Sequence, residues 1–519
     1  MRRLLLAVLL VTGLAPTVRS SALTSPLPVE ATPSEDGQCA WTVSGRIEVE
    51  HALPELKEAF GDFSDLVGVT VRVRGMLRLA NPFGNAVWGT WDTWKETTTN
   101  SRGEFTVRHT PSISPCDGVR RLRVEVKFQN DDLEIRHAHA TSSLTKVKWV
   151  TIYDTPEDEP RTDHTLDINR IFGPNRVQEL DEFEPRAHAD MWVVYTHLLD
   201  KLAGYGSAYA FTDQLKVKYP HNSALASDNA EASYANPITN VVYIYRANVC
   251  PDDVMLPNET GSCEDHLDVS TLLHEAMHVW AYQHATGEDD LALNLLTSGS
   301  THCFEPSHIA FHEGFAEWAA ERLGNSLFGM DKPQPVTRDA LQAGFWCEGN
   351  SPDTLPTLTK MEEHDYGWIT ALRILHQNDL HRYSFAGTTT NREFNHYGSE
   401  HGSTDGTINE IQKSVPANPR CESPDVSFKD VLTTFLASPA DGYVHPLRNS
   451  DMNLDDFVDR FADVNDLGND TRDALLTLID PAATEEPADL FCPFVPRVEN
   501  LNTPERIPQR RTIPGRRGN

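Results

Sequence analysis

Between Asp268 and Trp280 the chain reads Asp-Val-Ser-Thr-Leu-Leu-His-Glu-Ala-Met-His-Val-Trp. Val269, Leu272, Leu273, Ala276, Met277 and Trp280 recur at three- and four-residue steps, the stripe of a buried amphipathic helix. Asp268 stands where an N-cap belongs. On such a helix His274 and His278 fall one turn apart on one face. The bland reading is an ordinary amphipathic helix with two surface histidines. The chemical reading is a pair of imidazoles reaching one Zn²⁺ at roughly 2.0–2.1 Å. Glu275 then points to the side, within reach of a water on that ion but not of the ion itself.

A catalytic zinc site needs one more protein ligand and leaves the fourth position to water. Downstream runs Ile-Ala-Phe-His-Glu-Gly-Phe-Ala-Glu-Trp-Ala-Ala, from Ile309 to Ala320. It reads as a second helix, with Pro306-Ser307 as a start and Gly324-Asn325 as a stop. Glu313 and Glu317 share one face of it. Gly314 in mid-helix costs about 1 kcal/mol relative to Ala, which is intelligible where two backbones approach closely. Glu313 is the expected third ligand. Glu317 is expected to accept a hydrogen bond from the free ring nitrogen of a metal-binding histidine. The alternative is two solvated acids on a surface helix. His302, Glu305, His308 and His312 are nearby candidates that rank behind Glu313. One Zn²⁺ per chain is the expected cofactor.

His274-Glu275-x-x-His278 followed by Glu313, in the run His-Glu-Gly-Phe-Ala-Glu-Trp, resembles the gluzincin metallopeptidases. Val279-Trp280 and Glu-Gly-Phe-Ala are similar to the aminopeptidase N branch, and Glu317 to an acid of the thermolysin branch. The resemblance covers roughly residues 230–370. The stretch from His278 to Glu313 is longer than either branch usually shows. Tyr366 is the position at which the aminopeptidase N branch implies a hydrogen-bond donor to the tetrahedral intermediate. His364 is the reserve, and a core tyrosine fits equally. The aminopeptidase N branch also implies a Gly-x-Met-Glu-Asn stretch upstream, which this chain lacks. The corresponding Glu231-Ala232-Ser233-Tyr234-Ala235-Asn236 resembles instead the edge strand that holds an extended substrate. Ala232, Ser233 and Tyr234 are therefore the expected substrate-binding residues. A plain core strand is the alternative, and Glu231 could anchor a free amine.

The flanking chain sets the context. Met1-Arg2-Arg3, an apolar run from Leu4 to Leu14 and small residues to Ala22 read as a secretory signal peptide, so the protein is expected to be secreted or periplasmic. No later run is long and apolar enough for a membrane helix. The net charge of −31 opposes nucleic-acid binding. Eight cysteines, with no Cys-x-x-Cys, favour disulfides in an exported chain. Neighbours paired in order (Cys39–Cys116, Cys250–Cys263, Cys303–Cys347, Cys421–Cys492) are the simplest connectivity.

Residues 39–153 alternate as strands, as in Val69-Thr-Val-Arg-Val-Arg74, with a turn at Asn100–Gly103. This predicts a small antiparallel sandwich that resembles transthyretin-like, carboxypeptidase-regulatory-type domains. It would hold substrate or serve as a structural appendage. Residues 154–187, acidic and proline-bearing, read as a linker. A helix is expected over 190–202, and two short strands around Asn236-Pro237. Residues 426–480 carry three helical stripes. The Pro/Arg tail from 481 to 519 is expected to be disordered.

The expected fold class is multidomain: an N-terminal antiparallel β-sandwich, then an α+β zincin catalytic domain with a helical C-terminal part. The expected divisions are 1–22 signal peptide, 23–38 linker, 39–153 sandwich, 154–187 linker, 188–480 catalytic domain and 481–519 tail. The expected function is zinc-dependent endopeptidase action on peptides or proteins, with Glu275 and Tyr366 catalytic. An aminopeptidase, or a non-catalytic extracellular binding protein that keeps a peptidase fold, are the alternatives.

Overall fold

A computed structural model of the chain describes residues 40–80, 86–110, 119–136, 149–155, 165–173, 185–221, 233–236, 239–245, 267–285, 307–330, 427–436 and 453–466. It also describes strand segments 383–385 and 411–413 and the helical positions 362, 367–369, 371–372, 375, 472–473 and 476. The architecture is β-sheets, largely antiparallel, together with helices.

Strand β1 (Trp41–Glu50) alternates buried and half-buried along its whole length, because Trp41, Val43, Ile47 and Val49 fall on one face. It pairs antiparallel with β2 (Phe63–Asp65) and β5 (Glu104–His109) along one side. A second, fully antiparallel sheet has the order β4 (Ala86–Thr98), β3 (Thr70–Ala80), β6 (Val119–Lys127), β8 (Val150–Asp154). Its inward residues Val71, Val73, Leu122, Val124 and Val126 are buried. The turn expected at Asn100–Gly103 is present: the Asn100 side chain accepts from the amides of Arg102 and Glu104, and Gly103 takes φ 66°.

Two expectations need correcting. The segment 154–187 is not simply a linker. It contains β9 (Thr165–Phe172), which pairs parallel with β1 from Thr42↔Thr165 to Val49↔Phe172. Leu166, Ile168 and Phe172 supply the apolar alternation that its acidic start conceals. The closeness of this pair explains Gly45, where a Cβ would lie 1.8 Å from the Ile168 carbonyl oxygen. The expected break after residue 153 is also bridged. Strand β7 (Leu133–Arg136) leaves the first two sheets and pairs parallel with β10 (Leu215–His221). The third sheet therefore runs β11 (Tyr234–Asn236), β12 (Val241–Tyr245), β10, β7. Its β11–β12 pair is antiparallel and its other pairs are parallel. A short β13 (Tyr383–Phe385) and β14 (Ile411–Lys413) pair with each other.

The helices close over this framework. Helix α1 (Pro54–Phe60) starts with Pro at its first position, where a missing N–H costs nothing. Helix α2 (Pro185–Tyr205) packs on β1, β7 and β9 and on the next helix, α3 (Val269–His284). Trp192 on α2 donates its indole N–H to the Val67 carbonyl at 2.8 Å. Asp268 caps α3 through the Thr271 amide at 2.8 Å, as the sequence implies. Helix α4 (Ser307–Phe328) lies against α3, with Trp280 stacked on Phe315 at 5.7 Å between ring centroids. Helices α5 (Phe428–Leu436) and α6 (Leu454–Val464) complete that core: Phe435 sits 4.4 Å from Phe315 and 5.0 Å from Phe457. Each such buried ring removes apolar surface worth about 1.5–3 kcal/mol. No described helix is long and apolar enough to cross a membrane. The signal-peptide region, all eight cysteines and the tail lie outside the described residues.

Candidate metal centre

Helices α3 and α4 carry the site because both bury the face on which its residues stand. His274 and His278 are each 4 % exposed, which removes the reading as surface histidines. Their rings meet edge to face, centroids 4.7 Å apart. The two Nε2 atoms are 3.0 Å apart. Glu313 Oε2 on α4 lies 3.1 Å from His278 Nε2 and 3.3 Å from His274 Nε2. Three ligand atoms therefore converge on one point from two helices, and these three residues form a group able to hold a metal ion. Glu317 Oε2, one turn along α4, accepts from His274 Nδ1 at 3.1 Å. That bond places a proton on Nδ1 and makes Nε2 the nitrogen left to serve a metal ion at the same point.

The electrostatics follow from this crowding. Burial alone would lower the His274 pKa. The hydrogen bonds to Glu313 and Glu317 and the charge of Glu275 outweigh it and hold the imidazole well above its ordinary range. Burial would raise Glu313, but His278 and His274 pull it well below the usual carboxylate range. Glu275 is 3 % exposed. Burial pushes its carboxyl up, partly offset by His274, by His278 and by a backbone hydrogen bond from Ala235. Two histidines and a carboxylate are a donor set for a borderline-soft divalent ion.

The residues expected on the substrate side fall as follows. Strand β11 is the terminal strand of its sheet among the described residues and packs on α3. Tyr234 is 40 % exposed, whereas Ser233 is buried. Tyr366, Ala232, Glu231, His302, Glu305 and His364 lie outside the described residues. His312 is buried and faces Tyr282 and Phe311 rather than the convergence point.

Sequence reasoning missed three neighbours. Tyr282 stacks on His278 at 5.8 Å. Burial, then Glu313 and Glu275, hold its phenol protonated well above its ordinary range. Its place one turn beyond His278 was the available signal. The Ala235 amide reaches Glu275 from β11, and no local pattern announces that. Tyr195 on α2 is fully buried, and its hydroxyl has no hydrogen-bond partner among the described residues. Burial and then Glu275 and Asp268 raise its pKa well above the ordinary value.

No family model matches the chain, and no curated protein matches it. Among solved structures it is similar to a 9R-lipoxygenase from Cyanothece PCC8801, with 10% identity and a TM-score of 0.17. That similarity covers 67% of this chain and 32% of the lipoxygenase, so the chain spans about a third of its length. A likeness this low carries no argument about fold or function. The expected membership of the gluzincin metallopeptidases, and of the transthyretin-like domains, is corrected accordingly: no family model and no curated protein supports either.

Proposed function

We propose that the chain is an exported zinc-dependent peptidase that cuts within peptide chains. The observation that carries this is the convergence of His274 Nε2, His278 Nε2 and Glu313 Oε2 at mutual distances of 3.0, 3.1 and 3.3 Å. Ligand atoms at roughly 2.0–2.1 Å from a tetrahedral ion stand about 3.3–3.4 Å apart. The three atoms thus fit one face of a zinc tetrahedron, slightly contracted. Zinc, when bound there, supplies Lewis acidity toward water and a substrate carbonyl.

The chain's own residues do the rest. Glu317 keeps His274 in the tautomer that presents Nε2. Glu275, buried beside the ligands and held by the Ala235 amide, takes a proton from the attacking water and passes it to the leaving amine. Strand β11 offers main-chain groups at the end of a sheet to an extended peptide, with Tyr234 beside it. The two N-terminal sheets form a sandwich-like unit against an α+β catalytic unit whose second half is helical.

The test is Glu275→Gln. It removes the base but none of the three ligands, so zinc should stay near one per chain while hydrolysis of a peptide library is lost. Retained hydrolysis would refute the mechanism. A peptide and its N-acetylated twin then separate the modes: internal cuts in both support endopeptidase action, and single residues released only from the free peptide reverse it.

A further inference from the structure

A second constellation lies where β1, β2 and α2 meet, built from residues that the metal centre does not use. His51, just past the end of β1, sits with Nδ1 2.7 Å from Asp190 Oδ1 on α2. Its Nε2 is 2.7 Å from Ser64 Oγ on β2. The His51 and Asp190 side chains are both 0 % exposed, and Ser64, on a strand at the end of the path through its sheet, is half-buried. Asp190 Oδ2 also accepts the amides of Ala52 at 2.7 Å and Leu53 at 3.3 Å. Four contacts thus hold one hydroxyl, one imidazole and one carboxylate in line.

Asp190, which accepts from two amides, accepts from Nδ1–H of His51 as well. Nε2 is then the ring nitrogen that faces the Ser64 hydroxyl, the geometry in which it can take the hydroxyl proton. This is the arrangement of nucleophile, base and orienting acid that defines an activated serine by geometry and role rather than by sequence order. A strut that only joined β1 to α2 would be complete with the Asp190 contacts to His51, Ala52 and Leu53. The Ser64 hydroxyl adds nothing to that join except a polarised O–H. Around the base, the Phe60 ring is 6.4 Å from the His51 ring and stacks on His197 at 4.8 Å, Phe328 meets Phe60 edge-on at 5.8 Å, and the Arg186 guanidinium donates to the His51 carbonyl at 2.5 Å.

We propose that Ser64, His51 and Asp190 form a second hydrolytic centre, separate from the metal ligands, that acts on carboxylic esters. Ser64 Oγ bonds to the carbonyl carbon as its proton passes to His51 Nε2. The bond from that carbon to the alcohol oxygen breaks, and the alcohol leaves with the proton. Water next gives a proton to His51 and adds to the acyl carbon. The Ser64 ester bond breaks and the proton returns to Oγ, giving one acid and one alcohol per ester and water consumed.

The probe is an alkyl fluorophosphonate, which bonds to an activated serine through phosphorus with loss of fluoride. It is applied to the full chain as isolated, and the adduct is mapped by tandem mass spectrometry. The expected result is one adduct per chain at Ser64, absent in Ser64→Ala, and slowed on the order of 10³–10⁴-fold in Asp190→Asn and His51→Gln. Asp190 and His51 are buried, so those two variants count only if their urea transitions show a folded protein. Ser64→Ala removes a single oxygen and decides the matter without them. No adduct at Ser64 in the wild type overturns the proposal, as does labelling that is unchanged in a folded Asp190→Asn. Peptide hydrolysis measured on the same samples reports on the metal centre independently, so one reading can fail while the other stands.

Discussion

Replacing Glu317 by Ala should weaken zinc binding by about 10- to 100-fold without removing a ligand. The Glu317 side chain is 12 % exposed, and its Oε2 accepts from His274 Nδ1 at 3.1 Å. A hydrogen bond to a charged group is worth about 1.5–3 kcal/mol, and each 1.4 kcal/mol is a factor of about ten. That gives one to two decades, the range found when groups behind metal-binding histidines are removed. Glu317→Gln keeps a neutral acceptor at the same place. It should lose about 0.5–1.5 kcal/mol, at most roughly tenfold. Glu313→Ala deletes one of the three converging atoms and should lose more than either. Zinc affinity is read by competition with a colorimetric chelator at fixed pH, and the His274 tautomer by long-range nitrogen–proton spectra. If Glu317→Ala binds zinc within twofold of wild type, the tautomer is not set by Glu317 and the reasoning fails.

Three further outcomes follow from particular contacts. In the zinc-free protein, His274 is raised above its ordinary 6.5 and Glu313 lowered below its ordinary 4.5. The Glu313 contribution is present above about pH 4.5 and lost as pH falls through its folded value, while the His274 contribution is full below about pH 6.5 and lost as pH rises through its folded value. The urea midpoint of the zinc-free protein should therefore be higher at about pH 5.5 than at about pH 9, and the reverse order would contradict the assignment. Gly45→Ala forces a Cβ to within 1.8 Å of the Ile168 carbonyl oxygen. It should cost at least about 1–3 kcal/mol, and an unchanged urea midpoint would show that β1 and β9 are not so close. Asp268→Ala removes the cap bond to the Thr271 amide and should cost about 1 kcal/mol in the same assay.

What the sequence made legible was local. The spacing within each pair, His274 with His278 and Glu313 with Glu317, depends only on helix geometry, whereas the meeting of the two pairs depends on the packing of α3 against α4. The Asp268 cap and the Asn100–Gly103 turn are likewise written in neighbouring residues. The strand at 165–172 was hidden because its partner, β1, lies more than a hundred residues away and its flanks are acidic. Leu133–Arg136 reads as one more strand of the first unit, and nothing nearby says that it pairs with Leu215–Lys218. The Ser64–His51–Asp190 line was invisible for the same reason: three separate elements supply it, and none carries a periodic signal. Family resemblance drawn from two short motifs extended further than the matches support, since a handful of residues on two helices constrains a metal site far more tightly than it constrains ancestry.

The pairing of β7 with β10 has a consequence for how the chain is made. Synthesis delivers residues 41–136 well before Leu215 emerges, so Leu133–Arg136, bonded on one side to Phe128–Asn130, waits with its other edge unclaimed. Strand β1 waits in the same way for Thr165–Phe172. A nascent chain paused between those points presents two raw edges at once, the condition under which strands join the wrong neighbour. Cutting the gene between residues 156 and 164 to express two halves would make that pause permanent. Each half would lack pairing partners that the other carries, and the halves should recover their structure only when mixed.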